Sequence, residues 1–177
     1  MTAYIVRRLL DLTRRPQLHR KPLRFDSLLE DLQQLWSPTL AAHGVTVTAE
    51  SPADCCLDVD RRQMEQLFIN LMNNAVDAMP ETGTLTLHTR NVDNDWIEVV
   101  VEDNGMGMSK EVLEKAMEPF FTTKETGKGT GLGLSMVFST VKAHQGQMAI
   151  ESEPGKGTRV RLRFPACAEE APVQAAA

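Results

Sequence analysis

The sequence predicts a two-layer α/β sandwich: a mixed, mainly antiparallel sheet with helices on one face and one long loop. Three observations carry that class. Segments with a helical apolar period alternate with short strand patterns, so neither an all-α nor an all-β class fits. The later strands come in pairs joined by brief turn sequences, VDND and EPGKG, which makes them hairpins and therefore antiparallel neighbours. Between Asp103 and Thr130 the periodicity dissolves, and six of the 11 glycines fall between 105 and 133 against one before residue 80. A loop of that length inside a compact domain is uncommon and usually serves as a lid or binding segment.

Each element follows in order. AYIVRRLLDLTR (3–14) has apolar residues at helical spacing and stops before Pro16. RPQLHRKPLR reads as a polar connection. A second amphipathic helix begins at Asp26, carries Leu28, Leu29, Leu32, Leu35 and Trp36 on one stripe, and closes at Gly44. VTVTA (45–49) alternates as a half-buried strand, with CCLDV (55–59) as its expected partner. A third helix covers 61–79. TLTLHTR (84–90) and WIEVVVE (96–102) form a hairpin, and a short helix near 109–117 interrupts the long loop. A fourth helix, about 131–145, ends at Gly146, and QMAIE (147–151) with TRVRLRF (158–164) makes the closing hairpin. The tail from residue 166 to 177 has little to bury and is expected to be disordered.

Composition narrows the classes. Hydrophobic content of 42% and charged content of 24% over 177 residues are those of one soluble globular domain. A net charge of -5 argues against nucleic acid as a partner. The three cysteines have no metal-ligand or redox spacing, so a cytoplasmic location is expected. No segment approaches the ~20 apolar residues of a membrane span, and a membrane-anchored parent stays compatible with that.

The stretch EPFFTTKETGKGTGLGLS (118–135) sets glycines 127, 129, 131 and 133 directly before a helix. It is not a P-loop, because Lys128 is followed by Gly129, and it lacks the dinucleotide spacing G-x-G-x-x-G. Bare amides at a helix N-terminus nonetheless make an anion site, and Lys124 and Lys128 add positive charge. A ligand-free surface loop is the plain alternative. The third helix bears on the choice. Opposite its apolar stripe (Met64, Leu67, Phe68, Leu71, Met72, Ala75, Val76, Met79) stand Gln66, Asn70, Asn73, Asn74 and Asp77, within about 100° of arc. Asparagine is a poor helix former, so this face needs another reason, such as amide oxygens offered to Mg²⁺ or bonds to a neighbouring loop. In VVVEDNGMGM a strand ends on Asp103, whose carboxylate can accept an exocyclic amine proton beside Gly105 and Gly107. A plain Asp-Asn-Gly turn is the alternative there.

Taken in order, NLMNNAVDAM, DNGMG, EPFFTTK, GTGLGLS and EPGKGTRVRLRFP resemble the ATP-binding catalytic domain of bacterial sensor histidine kinases. That domain belongs to the superfamily of gyrase, heat-shock chaperone and mismatch-repair ATPases. The resemblance spans 23–165, leaving 1–22 as the remnant of a second dimerisation helix with its linker. It implies ATP and Mg²⁺ as cofactors. Asn74 would coordinate the metal, and Asn70 would lie by the phosphates in a catalytic role shared with Lys124, which reaches the terminal phosphate. Asp103 would bind the adenine amino group, with Gly105, Gly107 and Thr158 about the ring. Gly129, Gly131, Leu132 and Gly133 would present the phosphate loop, and Phe120 with Phe121 would anchor the lid. His144 would be structural.

Departures from the pattern are informative. None of His19, His43, His88 or His144 sits in the family's phosphoacceptor motif, so the resemblance implies a domain cut from a longer kinase. Its partners would be a histidine-bearing dimerisation domain and, through it, a response regulator, with a monomeric isolated chain and a homodimeric parent. Asp77 stands where many relatives have lysine. Two other classes remain open: a gyrase-type hydrolase, which would need a glutamate where Asn70 stands, and a non-catalytic nucleotide-sensing module.

Overall fold

The computed structural model describes residues 18–51, 55–80, 82–93, 95–125 and 129–167. The expected helix over 3–14 and the tail beyond 167 lie outside the described residues. Strand β1 (Lys21–Arg24) leads directly into helix α1 (Phe25–Ala42), which buries Phe25, Leu28, Leu29, Leu32, Trp36 and Leu40 along one stripe. The helix continues through Pro38 and closes on Gly44, whose φ of 64° is the left-handed conformation of a glycine cap. Strands β2 (Val45–Glu50) and β3 (Cys56–Val59) precede helix α2 (Arg61–Ala78). The β4 (Gly83–Val92) and β5 (Trp96–Asp103) hairpin follows, then the short helix α3 (Lys110–Lys115). Helix α4 (Gly133–Ala143) and the hairpin of β6 (Gln147–Glu153) with β7 (Gly157–Pro165) complete the domain.

The main sheet has the order β2-β4-β5-β7-β6, and only the β2–β4 pair is parallel. Central β5 sends Ile97, Val99 and Val101 into one core with Met64, Leu67, Phe68, Leu71 and Ala75 of α2 and Val137 and Val141 of α4. Alternation places Glu98 and Glu102 on the opposite face, where Arg90 and Arg163 clamp Glu98 and Arg159 pairs with Glu102. The expected mixed, mainly antiparallel sandwich is the observed fold.

Two expectations about the early strands are corrected. β3 does not pair with β2; it pairs antiparallel with β1, from Lys21 opposite Val59 to Arg24 opposite Cys56. β1 itself lies in the segment read as a polar connection. β2 instead runs beside β4, from Val45 opposite Gly83 to Glu50 opposite His88, with β3 and α2 forming the crossover a parallel pair requires. Residues just ahead of 23 are also bonded to the helices. The His19 amide donates to Asp60 Oδ2 at 3.0 Å, and the Arg20 guanidinium donates to the Ala143 carbonyl at 2.6 Å.

The other end is corrected too. Ala166 bridges to Leu57, the Cys167 amide donates to the Cys56 carbonyl at 3.0 Å, and Cys56 and Cys167 form a disulfide with Cα atoms 5.5 Å apart. The two residues after β7 therefore belong to the small sheet and not to a disordered tail. Cys55, the neighbour of Cys56, is a buried thiol outside any disulfide. Separated by 111 positions, Cys56 and Cys167 show no redox spacing in sequence; only the fold makes them neighbours.

Candidate functional site

Helix α2 builds one wall. Asp60 is its N-cap: Oδ1 accepts from the Arg62 and Gln63 amides at 3.1 and 3.3 Å. The apolar stripe faces the core, which fixes the azimuth of the asparagines. Asn70 is buried, with Oδ1 accepting from Gln66 Nε2 at 3.5 Å. Asn74 is half-buried and lies against the start of α4, its amide atoms 3.6 Å from where a side chain on Gly133 would begin. Asn73 and Asp77 are exposed, and Asp77 forms an ion pair with Lys124.

The ends of β5 and β7 build the second wall. Asp103 is 8% exposed, and its Oδ1 accepts from the Gly105 amide at 2.9 Å and the Thr158 amide at 3.3 Å. Burial pushes its carboxyl above the usual carboxylate range, with the two amide donors opposing and Glu102 reinforcing the rise. A side chain on Gly105 would meet the Ala78 carbonyl at 2.6 Å, and one on Gly107 (φ 65°) would strike the Glu153 carbonyl. These glycines thus admit close backbone contacts with the end of α2 and the end of β6, and they join the two walls. Ser152 was missed by sequence reasoning. Its Oγ accepts from the Met108 amide at 2.9 Å, donates to the Gly157 carbonyl at 2.8 Å, and lies 3.0 Å from Thr158 Oγ1. The register of the closing hairpin, which sets Ser152 opposite Thr158, is the signal that could have found it.

The glycine loop closes the third side. Gly131 has φ 64°, its carbonyl accepts from the Phe120 amide at 2.9 Å, and a side chain on it would run into the Phe120 backbone. Leu132 is fully buried, and α4 begins at Gly133 with no side-chain cap on its first turn. Those N–H groups are the ones an anion can take. A side chain on Gly129 would meet Lys124 Cβ at 3.1 Å, so the lysine stem lies along this glycine on its way to Asp77. Gly127 and Lys128 lie outside the described residues. The Phe120 ring is 55% exposed and its φ is 71°; its contact with the loop is the backbone N–H to the Gly131 carbonyl, while Phe121 is half-buried.

His144 is fully buried. Nε2 accepts from the Asp60 amide at 3.0 Å and Nδ1 donates to the Thr140 carbonyl at 2.8 Å, which uses both ring nitrogens of the neutral ring. Burial lowers its pKa, which favours that same neutral form. It is a structural residue.

The donor set suits a cation that arrives with its own ligands. Among the described residues no group of three His, Cys, Asp or Glu could hold a metal. Asn74, a neutral amide beside the anion-accepting start of α4, fits Mg²⁺ carried by phosphates.

With the fold and these walls in place, the class is an ATPase domain: residues 59–168 match the family model "Histidine kinase-, DNA gyrase B-, and HSP90-like ATPase". The chain belongs to that family, and it carries the ATP-binding catalytic domain of the sensor histidine kinases within it. It is 40% identical over 183 residues to Sensor kinase CckA of Brucella abortus, covering 95% of this chain and 19% of that protein. Sporulation kinase A of Bacillus subtilis is 36% identical over 144 residues, covering 81% of this chain and 23% of its own. The chain therefore spans only about a fifth of these relatives. The nucleotide-free catalytic domain of histidine kinase ThkA superposes with a TM-score of 0.75 at 25% identity, covering 84% of this chain and 96% of that one. Full-length ShkA in complex with AMPPNP shares the fold at a TM-score of 0.84 and 23% identity, covering 99% and 38%. Among the described residues no helix is long and apolar enough to cross a membrane.

Proposed function

We propose that this chain binds Mg²⁺–ATP among α2, the β5 and β7 ends and the glycine loop, and delivers the γ-phosphoryl group to a histidine on a dimerisation domain of a longer protein. The observation that carries the reading is Asn74 held against the uncapped start of α4. That contact brings a neutral oxygen donor to a helix start that no side chain caps, and Lys124 reaches the same helix, α2, through Asp77. Asp103 accepts the adenine amino hydrogen, with Thr158, Gly105 and Gly107 bounding the ring. The Gly129, Gly131 and Gly133 amides take phosphate oxygens, Leu132 fixes the loop to the core, and the Phe120 backbone keeps Gly131 in place. Asn70 lies one turn before Asn74 and orients the phosphates. Mg²⁺, when bound, neutralises charge on the phosphate oxygens.

Transfer is favoured over hydrolysis because Asn70 is an amide at the position where a hydrolase would need a general base. A response regulator would act as a partner through the dimerisation domain, and the parent would be a homodimer while this chain alone is a monomer. Calorimetry should find ATP and ADP binding at micromolar to millimolar levels, with the ATP complex strengthened by Mg²⁺. Labelled ATP should leave this chain unlabelled until a fragment bearing the dimerisation domain is added. Equal affinity for GTP, or acid-labile phosphohistidine on this chain alone, would overturn the reading.

A further inference from the structure

The ion pair between Lys124 and Asp77 joins parts of the chain 47 residues apart, across the mouth of the nucleotide site. Asp77 follows Asn70 and Asn74 by seven and three positions, so the three share one face of α2. Lys124 starts from the glycine loop, lies along Gly129, and ends with its ammonium on that face. A carboxylate one turn from Asn74 is an unexpected neighbour for a triphosphate, which it repels. Its partner is the one cation within the described part of this loop, between Glu118 and Thr130.

We propose that Asp77 is a positioning and specificity-determining residue, an inference that rests on the nucleotide reading above: its carboxylate holds Lys124 and competes with the terminal phosphate of ATP for the ammonium. Without nucleotide, the pair ties the segment 120–125 to α2. When ATP enters, the terminal phosphate, with more negative charge and three acceptor oxygens, takes the ammonium from the single carboxylate. ADP offers no γ-phosphate, so Lys124 stays on Asp77. Asp77 thereby lowers the affinity for ATP more than that for ADP and narrows the preference between them. Both side chains are well exposed, 36% for Lys124 and 51% for Asp77, so the effect is modest. A pair of this kind shifts an equilibrium by about two- to fivefold.

Asp77→Asn keeps the shape of the side chain and removes its charge. Calorimetry with Mg²⁺–ATP and Mg²⁺–ADP on the wild type, Asp77→Asn, Lys124→Met and the double variant tests the competition. The expected result is a two- to fivefold gain in the ATP-to-ADP affinity ratio for Asp77→Asn that vanishes in the Lys124→Met background. The same gain with Lys124 removed would overturn the proposal, as would weaker ATP binding in Asp77→Asn, which would make the carboxylate a contributor to the metal site. Amide hydrogen exchange without nucleotide is the second readout. Residues 120–125 should exchange faster in both single variants, and exchange unchanged from wild type would overturn the ion pair while leaving nucleotide binding intact. Absence of binding in every variant would mark failure of the nucleotide reading itself and take the competition with it.

Discussion

Asp103 is nearly buried and accepts two backbone N–H donors, and these facts pull its ionisation in opposite directions. Burial wins, so the folded protein keeps the proton to a higher pH than the unfolded chain, whose carboxylate titrates near ~4. The sign for stability follows: Asp103 contributes fully below the ordinary carboxylate pKa, and its contribution is lost as pH rises through the raised value. The proposed adenine contact runs the other way, because only the ionised carboxylate accepts from the amine at full strength. Adenosine, which carries no phosphate to titrate, should therefore bind less tightly as pH falls through the raised pKa, and Asp103→Asn should flatten that dependence. Titration by NMR chemical shift checks it. At this scale the sequence was most readable where a residue type is chemically odd in its setting: an acid ending a hydrophobic strand, or asparagines on a helix. Ser152 had no such oddity, because its partners Met108, Gly157 and Thr158 come from a loop and a neighbouring strand.

At the scale of elements, α2 repays attention because it carries both the core stripe and the asparagine face, so its N-terminal turn supports the site from a distance. Asp60→Ala removes the cap and the His19 contact together, and should lower stability by about 1–2 kcal/mol. Urea unfolding should show a lower midpoint with an unchanged slope. Helices and hairpins were legible because their signals are local: a period, a glycine cap, a short turn. β1 was not. KPLR has four residues, one of them proline, and only Leu23 buried, which is the look of a connection. Its partner β3 was assigned to the nearest strand in sequence, whereas β2 finds its ladder with β4 beyond a whole helix. Non-local pairing leaves no mark in either strand.

For the whole molecule, the class was readable because alternation of pattern, hairpin spacing and glycine crowding agree with one another. What escaped was the meeting of Lys21–Arg24 with Ala166 and Cys167 about the same small strand, β3. The Cys56–Cys167 bond spans 111 residues, and in the chain-entropy account such a loop contributes about 4–5 kcal/mol. Reductant should lower the thermal midpoint of the wild type by on the order of 10 °C and leave that of Cys56→Ser unmoved, as read by calorimetry. The entry of the chain has a different consequence. His19 hangs on the cap of α2 and Arg20 on the last carbonyl of α4, and Asp60 and His144 are bonded to each other. A tug on residue 18 cannot be absorbed by a slack linker. It is shared at once between the two helices whose other stretches hold Asn74 and Gly133, roughly 20 Å along α2 from where the pull arrives. The domain is harnessed at its entrance, so traction applied there reaches the proposed phosphate-facing surface through two stiff rods.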